Sequence, residues 1–367
     1  MHSSTSNSNG PEKWPETYWK RPIPTAHWRG VSLLAVLLTV VLLMAWETYW
    51  RLYGYQPGYE DSAEHWARMR DKVGTGSAEE VVLTGSSRMH FDFDLDVWEQ
   101  DFGGPMPIML PRVGTNPRPF ITNIANDPEF RGILLVGVVE GLFFTPDGIM
   151  PAERAQQYLN HYENRPLSER WEFLLSVPFQ SGLASLNAED LGLGTLLRKR
   201  WTSVGNRKNA YIMPDMPPYL GRIDPDRRHH MWRRCERDPV LQQKIQQIWM
   251  PWFTMGPPFG GEGLDALLAS VKRDVEKIRE RGGEVVFIRF PSSGKLLEVE
   301  KERWPREAYW DRLLRETEAP GIHFEDHASL SGFECPEWSH LTRADAVTWT
   351  RNMIPFLRPM LSDRIRQ

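Results

Sequence analysis

Cysteine is scarce in this sequence: Cys235 and Cys335 are the two among 367 residues. This scarcity excludes a small secreted scaffold held together by several disulfides. Outside the cytoplasm the two residues could pair and close a long loop, or they could remain as two buried thiols. The sequence leaves both possibilities open.

An excess of positive charge is also lacking. The net charge is −4, so no overall basic field points to nucleic acid, and we predict no nucleic-acid partner. No internal repeat or low-complexity tract is evident. With 41% hydrophobic and 25% charged residues, the composition indicates an ordered globular protein.

One long run lacks charge altogether: Gly30–Trp46, GVSLLAVLLTVVLLMAW. As a helix it would span roughly 26 Å, slightly less than the ~30 Å hydrocarbon core of a bilayer. Trp28, Tyr49 and Trp50 flank it as an aromatic belt does. A cleaved signal peptide fits less well, because the run exceeds the usual ~7–15 residues and no small-x-small pair ends it. A buried core helix is disfavoured by the polar tail. We therefore predict an uncleaved transmembrane anchor.

Basic residues are concentrated on one side of this run. Lys13, Lys20, Arg21 and Arg29 precede it, whereas Arg51 is the one basic residue close behind it. The positive-inside rule places the N-terminus in the cytoplasm and the rest outside the bacterial cytoplasmic membrane, in the periplasm or beyond. The expected segments are a disordered cytoplasmic tail (1–29), the anchor (30–50), a juxtamembrane connector (51–75) with a helix over Ser62–Lys72, and a main domain (76–365).

Short apolar runs alternate with helical patterns in the main domain. This alternation predicts an α/β fold with a doubly wound parallel sheet of about five strands and helices on both faces. Functional sites in such sheets lie at the carboxyl ends of the strands. The predicted strands are Glu80–Thr84, Pro107–Leu110, Ile133–Val139, Glu284–Phe290 and Ile322–Glu325. The predicted helices are Phe93–Asp101, Leu264–Arg281 and Ala344–Leu357.

The alternation breaks at about residues 150–260, which we interpret as a helical insertion that caps the sheet. Its helical patterns cover Ala152–Tyr162, Leu167–Leu175 and Pro239–Met250. The apolar stretch WEFLLSVPF at 171–179 could face the core, a bilayer surface or a partner.

The first strand ends on Gly85-Ser86-Ser87. A glycine permits a tight turn there, and a serine at such a turn is where a nucleophile would sit. Gly-Ser turns are common, so this signal alone is weak.

A partner for such a serine occurs just before the last helix. In ECPEWSHLTRAD, Glu337 precedes His340 by three residues. A carboxylate at that distance in a tight loop can bind one imidazole nitrogen and leave the other free to take a serine proton. A lone histidine is more often structural, so the pairing with the serine is what makes this loop a candidate.

These two blocks, in this order, resemble the SGNH hydrolases, also called GDSL-like esterases. The resemblance covers roughly residues 76–365. Gly85-Ser86-Ser87 matches the Gly-Asp-Ser block with Ser87 as nucleophile, and Glu337-Trp338-Ser339-His340 matches Asp-x-x-His with glutamate in place of aspartate. The resemblance implies that the backbone N–H groups of Ser87 and Gly114 hold the oxyanion. It implies no cofactor.

One block departs from the family pattern. Gly137-Val138-Val139-Glu140 stands where Gly-x-Asn-Asp is expected, so the oxyanion asparagine is missing. Loss of one such donor can cost about 10²–10³ in rate. Other donors could substitute, turnover could be slow, or the reaction could differ from ester hydrolysis.

Further residues are expected near the site with less specificity: Arg88, Glu140, Ser292, Ser293 and Trp338. For Arg88 a pairing with a surface carboxylate is the more common role, and for the two serines a loop cap is an equal alternative. His90 reads as a packing residue. Trp249 and Trp252 could stack on sugars, although core burial is favoured. HHMWRRC at 229–235 lacks a recognised ligand spacing, so we predict no metal.

A membrane anchor before an SGNH-like domain is similar to the accessory proteins of alginate O-acetylation and teichoic acid D-alanylation. The resemblance implies acyl transfer to a hydroxyl of an exported polysaccharide or envelope glycan, with acetyl as the expected group and a membrane-bound O-acyltransferase as partner. A carbohydrate esterase using the same residues, and an inactive membrane-anchored scaffold, are the alternatives.

Overall fold

A computed structural model describes residues 27–186, 191, 196–197 and 219–361. Most of the predicted tail and the end of the predicted domain (362–365) therefore lie outside the described residues. The chain divides into two units, Met1–Tyr49 and Trp50–Gln367.

The first unit contains most of a single long helix, α1 (Trp28–Tyr53), which ends in the second unit. The helix has 26 residues, and none of them is buried. Its length is about 39 Å, more than the uncharged run alone provides. Among the described residues it is the one helix long and apolar enough to cross a membrane. The predicted apolar N-terminal helix is thus present.

The second unit is built around a parallel sheet of five strands. They are β1 (Val81–Thr84), β2 (Ile108–Met109), β3 (Ile133–Gly137), β6 (Glu284–Arg289) and β7 (Gly321–His323), and they lie in the order β2-β1-β3-β6-β7. The predicted α/β class and parallel sheet are confirmed. Two further strands, β4 (Gly221–Ile223) and β5 (His229–Met231), form a separate antiparallel pair.

Each inner strand sends alternate side chains to opposite faces of the sheet, as the twofold period of a strand requires. In β3, Leu134 and Val136 belong to one hydrophobic core, whereas Ile133 and Leu135 belong to the other. All five residues of β3 are buried. Helices therefore cover both faces, and this explains why these strands read as continuous apolar runs.

The helices of this unit begin with α2 (Ala63–Arg70) in the connector. The others are α3 (Ser87–Asp92), α4 (Leu95–Val97), α5 (Arg118–Ala125), α6 (Glu140–Phe143), α7 (Met150–Asn164), α8 (Leu167–Gly182), α9 (Arg233–Arg237), α10 (Pro239–Thr254), α11 (Gly261–Glu280), α12 (Gly294–Arg303), α13 (Trp310–Thr317) and α14 (Arg343–Leu361).

The predicted helix over Phe93–Asp101 differs from the observed structure. The chain is helical from Ser87, leaves the helix at Phe93 and Asp94, and resumes as α4, which continues into a π-turn over Trp98–Phe102. The Asp94 side chain caps α4 by accepting from the Val97 N–H. The early start of α3 matters because it makes Ser87 a helical residue.

The region predicted as an insertion is not separate from the core. Ala155 and Leu159 of α7 lie in the same hydrophobic core as one face of the sheet. The two cysteines are free and buried, Cys235 against β5 and Cys335 in the core on the α14 side. Of the two possibilities left open by the sequence, the pair of buried thiols is the one observed.

Candidate active site

Ser87 lies just beyond the carboxyl end of β1, at the first position of α3. The turn depends on Gly85, whose φ is +152°, and a Cβ there would lie 2.8 Å from the Cβ of Met89 and 3.1 Å from the Cα of Gly137. The other five residues of α3 are buried, whereas Ser87 is partly exposed. The strand order changes direction between β1 and β3, which is where open α/β sheets place their ligands.

His340 is held by Glu337 in the loop before α14. One carboxylate oxygen, Oε1, accepts from His340 Nδ1 at 2.8 Å and from the His340 backbone N–H at 2.6 Å. Both side chains are completely buried. Because the carboxylate can only accept, the proton of a neutral imidazole lies on Nδ1, and Nε2 carries the lone pair. That Nε2 is buried and has no hydrogen-bond partner among the described residues.

Trp249 on α10 completes the environment of the glutamate. Its Nε1 donates to the second carboxylate oxygen, Glu337 Oε2. Its ring lies edge-on to His340, with centroids 6.0 Å apart. The residue is half-buried against a hydrophobic core, and its N–H binds a carboxylate. Sequence reasoning missed this role, and a tryptophan some 90 residues away in the chain offers no signal for it.

Helix α3 is hydrogen-bonded to the histidine loop on both sides of His340. Arg88 Nε donates to the Ser339 carbonyl at 3.1 Å, and the Leu341 N–H donates to Asp92 Oδ1 at 2.9 Å. The Phe91 ring lies 4.7 Å from the imidazole, between centroids. The two predicted blocks therefore meet in space. No hydrogen bond joins Ser87 Oγ to His340 Nε2 in the described residues, so their joint action stays a prediction.

A buried ion network lies behind the same strand ends. Glu300 on α12 binds Arg88 Nη2 at 2.5 Å and Arg289 Nη2 at 2.7 Å, and Arg289 Nε binds Glu140 at 2.6 Å. Ser292 Oγ also donates to Glu300, at 2.6 Å. Burial alone raises the pKa of Glu300, but the two guanidiniums outweigh it and hold the pKa below its ordinary value.

This network revises three expectations. Arg88 pairs with a buried carboxylate, not with a surface one. Glu140, in the block where an asparagine is expected, forms an ion pair with Arg289, and Ser292 donates a hydrogen bond to Glu300. All three side chains are buried. They support the strand ends and do not line an open cleft.

Ser293 and Trp338 brace the histidine loop. Ser293 Oγ donates to the Cys335 carbonyl at 3.1 Å and accepts from its N–H at 3.0 Å, and the Ser293 N–H donates to the Trp338 carbonyl. Trp338 has a φ of +76°, an unusual conformation for a bulky residue. A Cβ on the adjacent Gly294 would lie 2.3 Å from Trp338 Nε1. Of the two alternatives for Ser293, the loop cap is the one observed.

Gly114, the second predicted oxyanion donor, lies in the turn after β2. Its φ is +63°, and a Cβ there would lie 3.1 Å from Arg154 Nη1. The turn therefore favours glycine for a conformational reason as well as a steric one.

Two more histidines lie near His340 and are kept neutral by burial. Burial lowers the pKa of His90 to about 3, and His90 Nε2 lies 2.5 Å from the Arg227 carbonyl. His229 stacks on Phe91 at 3.7 Å between centroids, and burial together with His90 lowers its pKa well below the ordinary value. Within the described residues no group of histidine, cysteine and carboxylate side chains could hold a metal ion.

An open cavity of about 630 Å³ lies beside the loop that follows His340. Its wall includes Arg343, three residues after the histidine, whose backbone N–H donates to Glu236 Oε1 at 2.9 Å. Two aromatic side chains and five arginines contribute to the lining, with two carboxylates among them: Tyr219, Trp232, Arg222, Arg233, Arg234, Arg237, Arg343, Glu236 and Asp238. Sequence reasoning did not identify this cavity, because its residues come from four separate segments.

The sequence matches no protein-family model and no curated protein.

Proposed function

We propose that this protein is a membrane-anchored serine acyltransferase that acts on hydroxyls of an exported polysaccharide or envelope glycan. The observation that carries the proposal is the state of His340. One ring nitrogen is oriented by Glu337, and the other is buried without a partner, beside a helix that begins with Ser87. An imidazole that a carboxylate orients on one side, with the other nitrogen free to accept a proton, is the arrangement of a general base.

The first half-reaction loads the serine. His340 Nε2 takes the proton of Ser87 Oγ as that oxygen attacks the carbonyl carbon of an acyl donor. The new Oγ–C bond forms, the bond to the leaving group breaks, and the imidazolium returns its proton to the leaving group. Glu337 stabilises the imidazolium throughout. Its charge is fixed by three donors, namely His340 Nδ1, the His340 backbone N–H and Trp249 Nε1.

Developing charge on the carbonyl oxygen requires donors. The backbone N–H groups of Ser87 and Gly114 are the proposed oxyanion donors. Glu140 cannot replace the asparagine of the family pattern, because a carboxylate paired with Arg289 has no hydrogen to donate. With one donor fewer, we expect slow turnover.

The second half-reaction transfers the acyl group. A glycan hydroxyl attacks the acyl-Ser87 ester, its proton passes to His340 Nε2, and the proton returns to Ser87 as the ester breaks. The aromatic and arginine-lined cavity beside Arg343 suits a sugar chain, since rings stack on sugar faces and guanidiniums bind oxygen atoms. Anchoring by α1 would keep this reaction at the outer surface of the membrane, next to an O-acyltransferase that supplies the acyl group.

The proposal is tested by measuring the acyl content of the exported polymer in cells that carry Ser87→Ala. We expect acylation to be lost at normal expression. Ser86→Ala is the matched control, because Ser86 is the neighbouring residue and its buried hydroxyl has no partner among the described residues. Unchanged acylation in Ser87→Ala would refute the mechanism.

Two other functions predict different results. A carbohydrate esterase would release acetate from a model ester through Ser87 and lower the acyl content of the polymer. A catalytically inactive scaffold would tolerate both Ser87→Ala and His340→Gln, and would lose function when the α1 helix is exchanged for another anchor.

A further inference from the structure

Helix α8 (Leu167–Gly182) presents an apolar stripe that the described residues leave uncovered. No residue of this helix is buried. Leu167, Trp171, Leu175 and Phe179 recur every four residues and are 70%, 62%, 66% and 57% exposed, and Leu174 widens the stripe. Residues at this spacing share one face of a helix. An exposed apolar face of this kind marks a contact with a membrane or another protein.

The opposite face of α8 fixes how the helix lies on the protein. The Phe173 ring packs 5.3 Å from the ring of His65, and the Arg68 guanidinium lies 5.2 Å above it. Near the other end, the Gln180 side chain accepts from the Glu60 N–H at 3.0 Å. Because these contacts hold this face against α2 and the connector, the stripe points away from the core. Core burial, one of three possibilities for this stretch, is therefore excluded.

The end of α8 is hydrogen-bonded to a residue that follows the uncharged run. Arg51 Nη2 donates to the Gly182 carbonyl at 2.7 Å. Arg51 is the fifth residue after Trp46, the last residue of that run. If α1 crosses a bilayer, as the proposed function assumes, this bond keeps the carboxyl end of α8 close to the lipid surface.

From these observations we infer that α8 lies in the interface of the same bilayer, with its apolar stripe inserted among the lipids. Helices of this type bury their apolar face about 5–10 Å into the boundary between headgroups and acyl chains. Trp171 suits that boundary, because its ring is apolar and its N–H is polar. The helix would orient the domain, and with it Ser87, relative to the membrane.

The charges on α8 define the kind of lipid contact. The helix carries Glu169, Arg170 and Glu172, so it has no basic face. Glu169 is already bound to His161 Nδ1 at 3.0 Å. Insertion therefore depends on apolar area and not on attraction to anionic headgroups. Insertion should occur equally in zwitterionic and in anionic vesicles, and it should persist at high salt.

The test uses the full chain reconstituted in phosphatidylcholine vesicles. Leu175→Cys is labelled with an environment-sensitive fluorophore, and quenching by nitroxide lipids with shallow or deep spin labels reports its depth. Glu276→Cys, an exposed position on α11, is the matched reference. The unsubstituted chain serves as the labelling blank, because Cys235 and Cys335 are buried. We expect strong shallow quenching at position 175, weaker deep quenching there, and none at position 276.

Three results would overturn the inference. Absence of quenching at position 175, in protein that resists carbonate extraction, would exclude lipid contact while leaving the anchor and the Ser87 chemistry intact. Cross-linking between copies at Leu175→Cys without quenching would assign the stripe to self-association. Release of the protein by carbonate would refute the anchor itself and the inference with it. As a second variant, Leu175→Glu should reduce quenching of a label at Phe179→Cys, since an exposed glutamate disturbs no core contact.

Discussion

Two buried charged clusters lie behind the strand ends, and they differ in what their groups bind. In the network of Arg88, Glu300, Arg289 and Glu140, each charged group binds an oppositely charged partner, although Glu140 Oε2 accepts no hydrogen bond from the described residues. In the Glu337–His340 pair, both carboxylate oxygens of Glu337 accept hydrogen bonds, and the imidazole Nε2 has no partner among the described residues. Both clusters are buried, so burial does not separate them. The difference teaches that a basic nitrogen with no partner, and not a buried charge by itself, marks the candidate for chemistry.

The largest expected effect is on activity when the Glu337–His340 pair is changed. We expect His340→Gln to lower acyl transfer by about 10⁴–10⁶-fold, because glutamine cannot act as the base that accepts the Ser87 proton. Polymer acylation at matched protein levels measures this. The folded state should survive, since glutamine can still donate to Glu337. A variant that unfolds instead would assign His340 to the framework and remove the contrast between the clusters.

A change in the ion network around Glu300 should instead lower the free energy of unfolding. Glu300→Gln leaves Arg88 and Arg289 buried without their shared carboxylate, which we expect to cost about 3–5 kcal/mol of unfolding free energy. Denaturant unfolding of the detergent-solubilised chain, followed by circular dichroism, measures it. Glu298→Gln, an exposed residue of the same helix, is the control and should be neutral. A change below about 1 kcal/mol would mean that the network contributes little.

An intermediate effect is expected where a donor to the glutamate is removed. Trp249→Phe keeps an aromatic ring against His340 but deletes the hydrogen bond to Glu337 Oε2. A hydrogen bond to a charged group contributes about 1.5–3 kcal/mol, so we expect acylation to fall about 10–150-fold. Trp304→Phe is the matched control, because its buried Nε1 has no partner among the described residues. Equal effects of the two substitutions would show that Trp249 matters only for packing.

The most gradual effect is a pH dependence of stability. Burial lowers the pKa of His90 from 6.5 to about 3. Between these values the unfolded chain binds a proton that the folded chain excludes. His90 therefore leaves the free energy of unfolding unchanged above pH 6.5 and lowers it as the pH falls below that value. The decrease is up to about 1.4 kcal/mol per pH unit.

Comparison of unfolding free energies at pH 6.5 and 4.5 tests this. His90→Gln should flatten the decline, and His27→Gln, which changes an exposed histidine outside the second unit, should not. The raised pKa of Asp92, caused by burial, acts in the opposite direction. It is present in all three chains, so it cancels in the comparison. Identical slopes in the parent chain and His90→Gln would contradict the assignment of a buried neutral imidazole.

Much of the fold could be predicted because its signals are local. The five strands were located within a few residues, since buried parallel strands read as short apolar runs. The uncharged run predicted α1, and the stripe of Leu264, Leu267, Leu268 and Val271 predicted α11. The break between α3 and α4 was missed, because it depends on the cap that Asp94 forms and on the bond from Leu341 to Asp92.

The candidate site also combines local contacts, which the sequence predicts, with long-range contacts, which it does not. Glu337 and His340 are three residues apart, so their hydrogen bond follows from local geometry, and the turn at Gly85 follows from a strand that must end. Trp249 reaches Glu337 only because α10 packs against the histidine loop, and Glu300 joins Arg88 to Arg289 only because α12 follows β6 into the same space. Sequence alone determined the anchor, the strands and the acid–histidine pair, whose interactions span a few residues. Tertiary structure decided which polar atoms were satisfied, because those partners are brought together by packing over long separations.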